Sequence, residues 1–126
     1  MSLNLPVSAP PNLVLAMPIL FPNAFRLVDW DVDGDQVTVW NLGDSLPTDA
    51  QIAAAVATVE WAAFQVTVQA AIDITDTMAI RCIKSGIALP ENWVAYYTQL
   101  LVLHRSISGD PTQALPSVPA KPAGLL

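Results

Sequence analysis

PTDAQIAAAVATVEWAAFQVTVQAAIDITDTMAIRCIKSG, residues 47–86, holds no proline or glycine between Pro47 and Gly86. Its start is marked in the sequence. Thr48 is a good N-cap, Asp49 suits the positive helix end, Gln51 completes a T-x-x-Q capping box, and Pro47 and Ile52 occupy the hydrophobic-staple positions. Its end is marked too, by Arg81 and Lys84 in the last turns and Gly86 as a stop. The stretch predicts one helix of roughly 37 residues, about 55 Å long. A break near Asp73-Ile74-Thr75-Asp76 is the alternative.

The helix is apolar on two sides. Ile52, Val56, Val59, Ala63, Val66 and Ala70 recur at spacings of three and four. Trp61, Phe64, Val68 and Ile72 form a second stripe about 180° away. Both stripes need cover in a chain of only 126 residues. A second helix follows, with Pro90 at its first position and Gly109 after its last turn. It carries one stripe of Trp93, Tyr96, Tyr97, Leu100, Leu101, His104 and Ile107. The expected core is Trp40, Ile52, Val56, Val59, Trp93, Tyr96, Tyr97, Leu100 and His104, with the aromatics of the second helix packed on Ile52, Val56 and Val59. The face of Trp61, Phe64, Val68 and Ile72 is then left for a partner, together with Leu13 and Leu15 of the N-terminal arm and Leu115, Pro116 and Pro119 of the tail.

Outward from these helices the chain changes character. Residues 1–24 contain no charge and five prolines, which favours extended or polyproline-like backbone over helix. Leu13, Val14, Leu15, Met17, Ile19, Leu20 and Phe21 make this arm too apolar for a solvated tail. It packs back on its own domain or lies on a neighbouring protein, and both readings stay open. Residues 25–42 read as a β-hairpin turning at Asp33-Gly34. Residues 43–109 read as a helical hairpin, and 110–126 as a Pro-rich extended tail. The fold class is α+β, mainly α, in one domain.

The run DWDVDGD, residues 29–35, matches the first half of a calcium loop, but Trp40 stands at the twelfth position where a bidentate carboxylate is needed. Asp29, Asp31 and Asp33 instead share one strand face turned to water. Other chemistry is scarce. His104 and Cys82 are single, so neither a metal set nor a histidine-activated nucleophile can be built. Phosphate-loop motifs are missing from the sequence, and a net charge of −6 disfavours nucleic acid. Gln51, Glu60, Gln65 and Gln69 interrupt the apolar run 50–72 and argue against a membrane span. The residues predict a binding protein, not an enzyme, with no cofactor.

VTVWNL, PTDAQIAAA, LPENWVAYYTQLLVLHRSI and LPSVPAKP occur in this order over residues 37–122. The series resembles the small phage tail-fibre assembly chaperones (tail assembly chaperone proteins), with their W-x-x-Y-R-x-x-L-R helix and L-P-x-x-P end. Trp93, Tyr96, Leu100, Leu115, Pro116 and Pro119 match. The basic positions differ, with Tyr97 or Thr98 at the first, Leu101 or Val102 at the second, and Arg105 nearby. The resemblance implies a protein that helps tail-fibre chains fold and trimerise in the host cytoplasm and that can stay in the virion tail. A permanent minor subunit of a tail, fibre or baseplate is the second reading, and a homo-oligomer is compatible with either.

Overall fold

The computed structural model describes residues 3–126. Six elements follow in order: β1 (Val7–Ser8), α1 (Leu13–Leu20), β2 (Trp30–Asp33), β3 (Gln36–Trp40), α2 (Asp49–Lys84) and α3 (Glu91–Arg105). The protein is mainly helical, with a small three-stranded antiparallel sheet of order β1-β3-β2, which is the expected α+β class. The chain divides into two compact units, Met1–Glu60 and Trp61–Leu126, and α2 contributes to both.

In the first unit the hairpin turns through Gly34-Asp35, because Asp33 pairs with Gln36. Gly34 alone takes a positive φ, 62°, the pattern of a type II′ turn. One residue of β3 is extra. Asp31 faces Val39 while Val32 faces Val37, so Thr38 forms a β-bulge. Strict alternation would send Val37 and Trp40 to opposite faces. The bulge resets the phase and lets both be buried, on the side where Trp30 and Val32 lie. Phe21 meets the Trp40 ring edge-on at 5.7 Å.

The N-terminal arm is not extended throughout, as the proline count predicted. Residues 13–20 form α1 with Pro18 inside it. Leu13, Ala16 and Met17 are buried and Leu20 is half-buried, the i, i+3, i+4, i+7 face of an amphipathic helix. Pro18 points away from that face and is exposed. Burial of the apolar face outweighs the hydrogen bond the ring removes. The arm also adds β1 to the sheet, where Val7 pairs with Val37. The arm therefore packs on its own chain. Leu13, assigned above to a partner, is core, whereas Leu15 stays largely exposed.

Helix α2 begins as its sequence requires. The Thr48 amide donates to Gln51 Oε1 at 2.9 Å and the Gln51 amide to Thr48 Oγ1 at 3.2 Å, a closed capping box. It is unbroken at residues 73–76, where buried Thr75 donates its hydroxyl to the Ile72 carbonyl and so satisfies itself within the helix. It ends in a Schellman motif. The Ile87 amide bonds the Cys82 carbonyl, the Gly86 amide bonds the Ile83 carbonyl, and Gly86 adopts φ 73°.

The second unit reverses the expected division of faces. Trp61, Phe64, Val68 and Ile72 are buried in one cluster with Trp93, Tyr96 and Leu100, and half-buried Tyr97 packs against it. They are this chain's core and not a free partner face. Ile52 and Val56 belong to the other cluster, with the sheet and α1, and Val59 is half-buried. The Trp61 and Phe64 rings stack at 5.1 Å, and Trp93 meets Tyr96 edge-on at 5.9 Å.

Helix α3 is capped by side chains of α2. Gln65 Nε2 donates to the carbonyls of His104 at 3.0 Å and Ser106 at 2.8 Å, and Trp61 Nε1 donates to Ser106 at 2.9 Å. These bonds supply carbonyls that a helix end leaves orphaned. They also stop α3 at Arg105, earlier than expected. His104, placed in the core from its stripe, is exposed, and Ile107 lies beyond the helix at 97% exposure. Gly109 is not the helix stop. A Cβ there would sit 2.6 Å from the Trp61 ring, so the glycine is required by close approach.

The tail lacks helix and strand, as expected, but it is tied down. Trp93 Nε1 donates to the Ala120 carbonyl at 2.9 Å, and Pro122 is buried. Asp110 holds the turn before it by accepting from the hydroxyl and amide of Thr112, which lowers its pKa from the usual carboxylate value. A lowered folded pKa means the turn is favoured above the ordinary range and loosens as pH falls through the folded value.

Two predictions follow from these contacts. Trp40 Nε1 is buried with no hydrogen-bond partner among the described residues, whereas Trp93 Nε1 has one. Trp93→Phe should therefore cost about 0.5–1.5 kcal/mol more than Trp40→Phe in urea denaturation, because it gives up a hydrogen bond while Trp40→Phe gives up none. Equal losses would contradict that account. Gly109→Ala should cost about 1–3 kcal/mol through overpacking. The loss should shrink in a Trp61→Leu background, since the two positions share one contact. Strict additivity of the two changes would show that the ring is not the obstacle.

Candidate contact surface

The first unit raises an apolar knuckle at residues 25–28, FRLV. Sequence alternation had assigned this segment to the first strand, but β2 starts only at Trp30. Phe25 and Leu27 are each 72% exposed and Val28 is 66% exposed. Three large apolar side chains among four residues form a patch, not the scattered exposure common on any surface.

The knuckle is locked. The Phe25 amide donates to Asp29 Oδ2 at 2.8 Å, and the Asp29 amide returns a bond to the Phe25 carbonyl at 2.8 Å. Asn41 Nδ2 holds the Val28 carbonyl at 2.9 Å. Arg26 lies over the Trp30 ring at 5.1 Å, pairs with Asp31 at 2.9 Å and donates to the Val32 carbonyl at 3.1 Å. The Leu27 amide donates to the Trp30 carbonyl at 2.7 Å. The loop thereby covers the outer edge of β2, a common defence of an exposed strand. Asp29 and Asp31 build this loop, so the acidic run is more than a solvated face. Asp33 and Asp35 are exposed at the turn, as expected.

Leu27 adopts φ 73°. A branched residue in the left-handed region costs on the order of 1–3 kcal/mol and persists only where its surroundings enforce it. The side chain that bears this strain is turned to solvent. Rigid, strained presentation of an exposed apolar side chain is what a preorganised contact needs.

Beside the knuckle lies a groove. Two hollows of about 320 and 330 Å³ share Leu20, Phe21 and Leu42. One extends past Pro22 and Ala24 to Asp29, and the other past Ser45 and Leu46 to Gln51. The shared middle over Leu20, Phe21 and Leu42 is apolar, while the arm with Asp44, Ser45 and Gln51 is mainly polar.

The residues assigned above to a partner are scattered by the fold. Trp61, Phe64, Val68, Ile72 and Leu13 are buried. Leu15 and Leu115 remain at the surface, while Pro116 and Pro119 are half-buried. The matching motif halves W-x-x-Y and L-P-x-x-P are joined inside the second unit through the Trp93–Ala120 bond, one residue past Pro119. Half of the first α2 stripe stays uncovered: Ala63, Val66 and Ala70 are exposed. That stripe is interrupted by Asp73, which accepts from Gln69. By length and composition α2 could cross a bilayer, although its bulkiest apolar side chains fill the chain's own core.

Phe25, Leu27 and Val28 were missed in the sequence because FRLV reads as strand. The one available signal was the break in alternation at Leu27-Val28, two large apolar residues in succession. No protein-family model, curated protein or solved structure matches this chain.

Leu27→Gly relieves the backbone strain and adds some unfolded-state entropy. It should leave stability unchanged or raise it by up to about 1 kcal/mol. A thermal melt showing a loss of about 2 kcal/mol or more would mean that the Leu27 side chain is structural and not displayed for contact.

Proposed function

We propose that this protein is a phage tail-fibre assembly chaperone or fibre-bound accessory protein. It binds fibre chains while they fold and trimerise. The observation that carries a binding role is the locked knuckle, where Phe25, Leu27 and Val28 are held exposed by five residues' worth of polar contacts (Arg26, Asp29, Asp31, Trp30 and Asn41). The fibre as partner is supported by the resemblance in Trp93, Tyr96, Leu100 and the L-P-x-x-P end. These motif residues are used for folding, so they support the lineage and not the contact itself.

The second reading, a permanent tail subunit, would use the two apolar arms as clamps on its partner. The N-terminal arm is folded into the first unit's core, and the tail is bonded to Trp93. Neither arm is a free clamp. A chaperone role requires a surface that can be released, and a compact knuckle suits release better than two wrapped arms.

The test is co-expression with a phage tail-fibre protein. Wild-type chain should raise the yield of soluble fibre trimer and co-purify with immature fibre. Leu27→Ser should weaken that complex by about 2 kcal/mol or more, as expected of a contact hot spot, while the circular dichroism stays unchanged. Fibre that trimerises equally well without the protein would overturn the proposal. Mass spectrometry of purified virions separates the two readings, since a chaperone should be missing from finished particles.

A further inference from the structure

The charge of this protein is divided unevenly. Residues 1–60 hold one cation, Arg26, against seven carboxylates, which accounts for the whole net charge of −6. Residues 61–126 hold four cations and four carboxylates and are neutral. The first unit's single cation is committed internally, to Asp31 and the Trp30 ring. The knuckle and the groove over Leu20, Phe21 and Leu42 both belong to this acidic unit. An apolar surface set in a field of one sign selects partners of the opposite sign and repels like ones.

We propose that this surface takes an extended cationic-apolar segment of a partner protein, with Lys or Arg alternating with large aliphatic residues. The aliphatic side chains fill the groove over Leu20, Phe21 and Leu42 and touch the knuckle. The basic side chains meet the polar ends, in a field to which exposed Asp33 and Asp35 add from the far end of the hairpin. This rests on the protein-binding reading above and specifies its chemistry. Several features favour such an occupant. The two hollows meet at Leu20, Phe21 and Leu42 and open to solvent, a shape that suits a chain more than a compact ligand. The −6 charge disfavours anionic bilayers and nucleic acid. The β2 edge is already occupied by Leu27 and Arg26, so the segment binds by side chains and not by adding a strand.

The experiment uses the full chain and two fluorescein-labelled probes, an alternating Lys-Leu peptide and an alternating Glu-Leu peptide of equal length. In fluorescence anisotropy the Lys-Leu peptide should bind and the Glu-Leu peptide should not. Raising salt from about 0.01 M to about 0.15 M shortens the screening length from roughly 30 to 8 Å and should weaken binding by about tenfold. Leu27→Ser should abolish most of it, and the double change Asp33→Asn with Asp35→Asn should flatten the salt dependence. Val66→Ser, in the neutral unit, should change nothing. Equal affinity for both peptides, or loss on Val66→Ser with none on Leu27→Ser, would overturn the proposal. So would recruitment of the chain to phosphatidylcholine vesicles through the knuckle. Should the Lys-Leu peptide bind as described while no fibre complex forms, the fibre partner falls and this surface chemistry stands. A fibre complex insensitive to both salt and Leu27→Ser would leave the chaperone reading and sink this one.

Discussion

The continuity of α2 is the constraint on which both cores depend. Its first turns put Ile52 and Ala55 into the cluster with the sheet and α1, and later turns put Trp61, Phe64 and Val68 against α3. Neither cluster could close without its share of this helix. A helix that serves two cores cannot be amphipathic in the ordinary single-stripe sense, which is why its sequence is apolar on two sides. Its ends carry strong signals for the same reason. The capping box and the Schellman motif fix where the helix starts and stops, and so which residues reach each cluster.

Polar satisfaction then decides much of the rest. Gln65 and Trp61 serve the carbonyl end of α3, Trp93 fastens the tail, and Thr75 returns its hydroxyl to its own helix. Among the described residues, Trp40 Nε1 is the one buried side-chain donor without a partner. The knuckle follows the same logic with a different result. Its backbone groups are satisfied by Asp29, Asn41 and the β2 edge, and what remains displayed is apolar side chain. A surface loop kept this rigid pays little further ordering entropy on meeting a partner.

The acidic run of the first unit therefore has two jobs. Asp29 and Asp31 shape the knuckle through local bonds, while Asp33 and Asp35 set the field around it. The calcium-loop likeness comes from the first job: carboxylates on alternate residues followed by a glycine are what a tight, polar-faced hairpin needs as well.

Sequence by itself determined the elements whose signals are local. The α2 limits, the hairpin at Gly34, the α3 start near Pro90 and the absence of helix and strand from the tail all follow from caps, turn residues and proline. So does the α+β class. Tertiary structure decided what local rules could not rank. Eight residues of a proline-rich arm became helix because Leu13, Ala16 and Met17 had a core to enter. One extra residue at Thr38 brought Trp40 to the buried side. The choice between two apolar stripes fell to Trp61, Phe64, Val68 and Ile72, because these larger side chains could meet Trp93 and Tyr96 while Ala63 and Ala70 offered little area. The same choice moved the candidate contact from α2 to Phe25, Leu27 and Val28. Their exposure depends on a left-handed residue and on side-chain bonds from Asp29, Asp31 and Asn41, and neither leaves a periodic trace in the sequence.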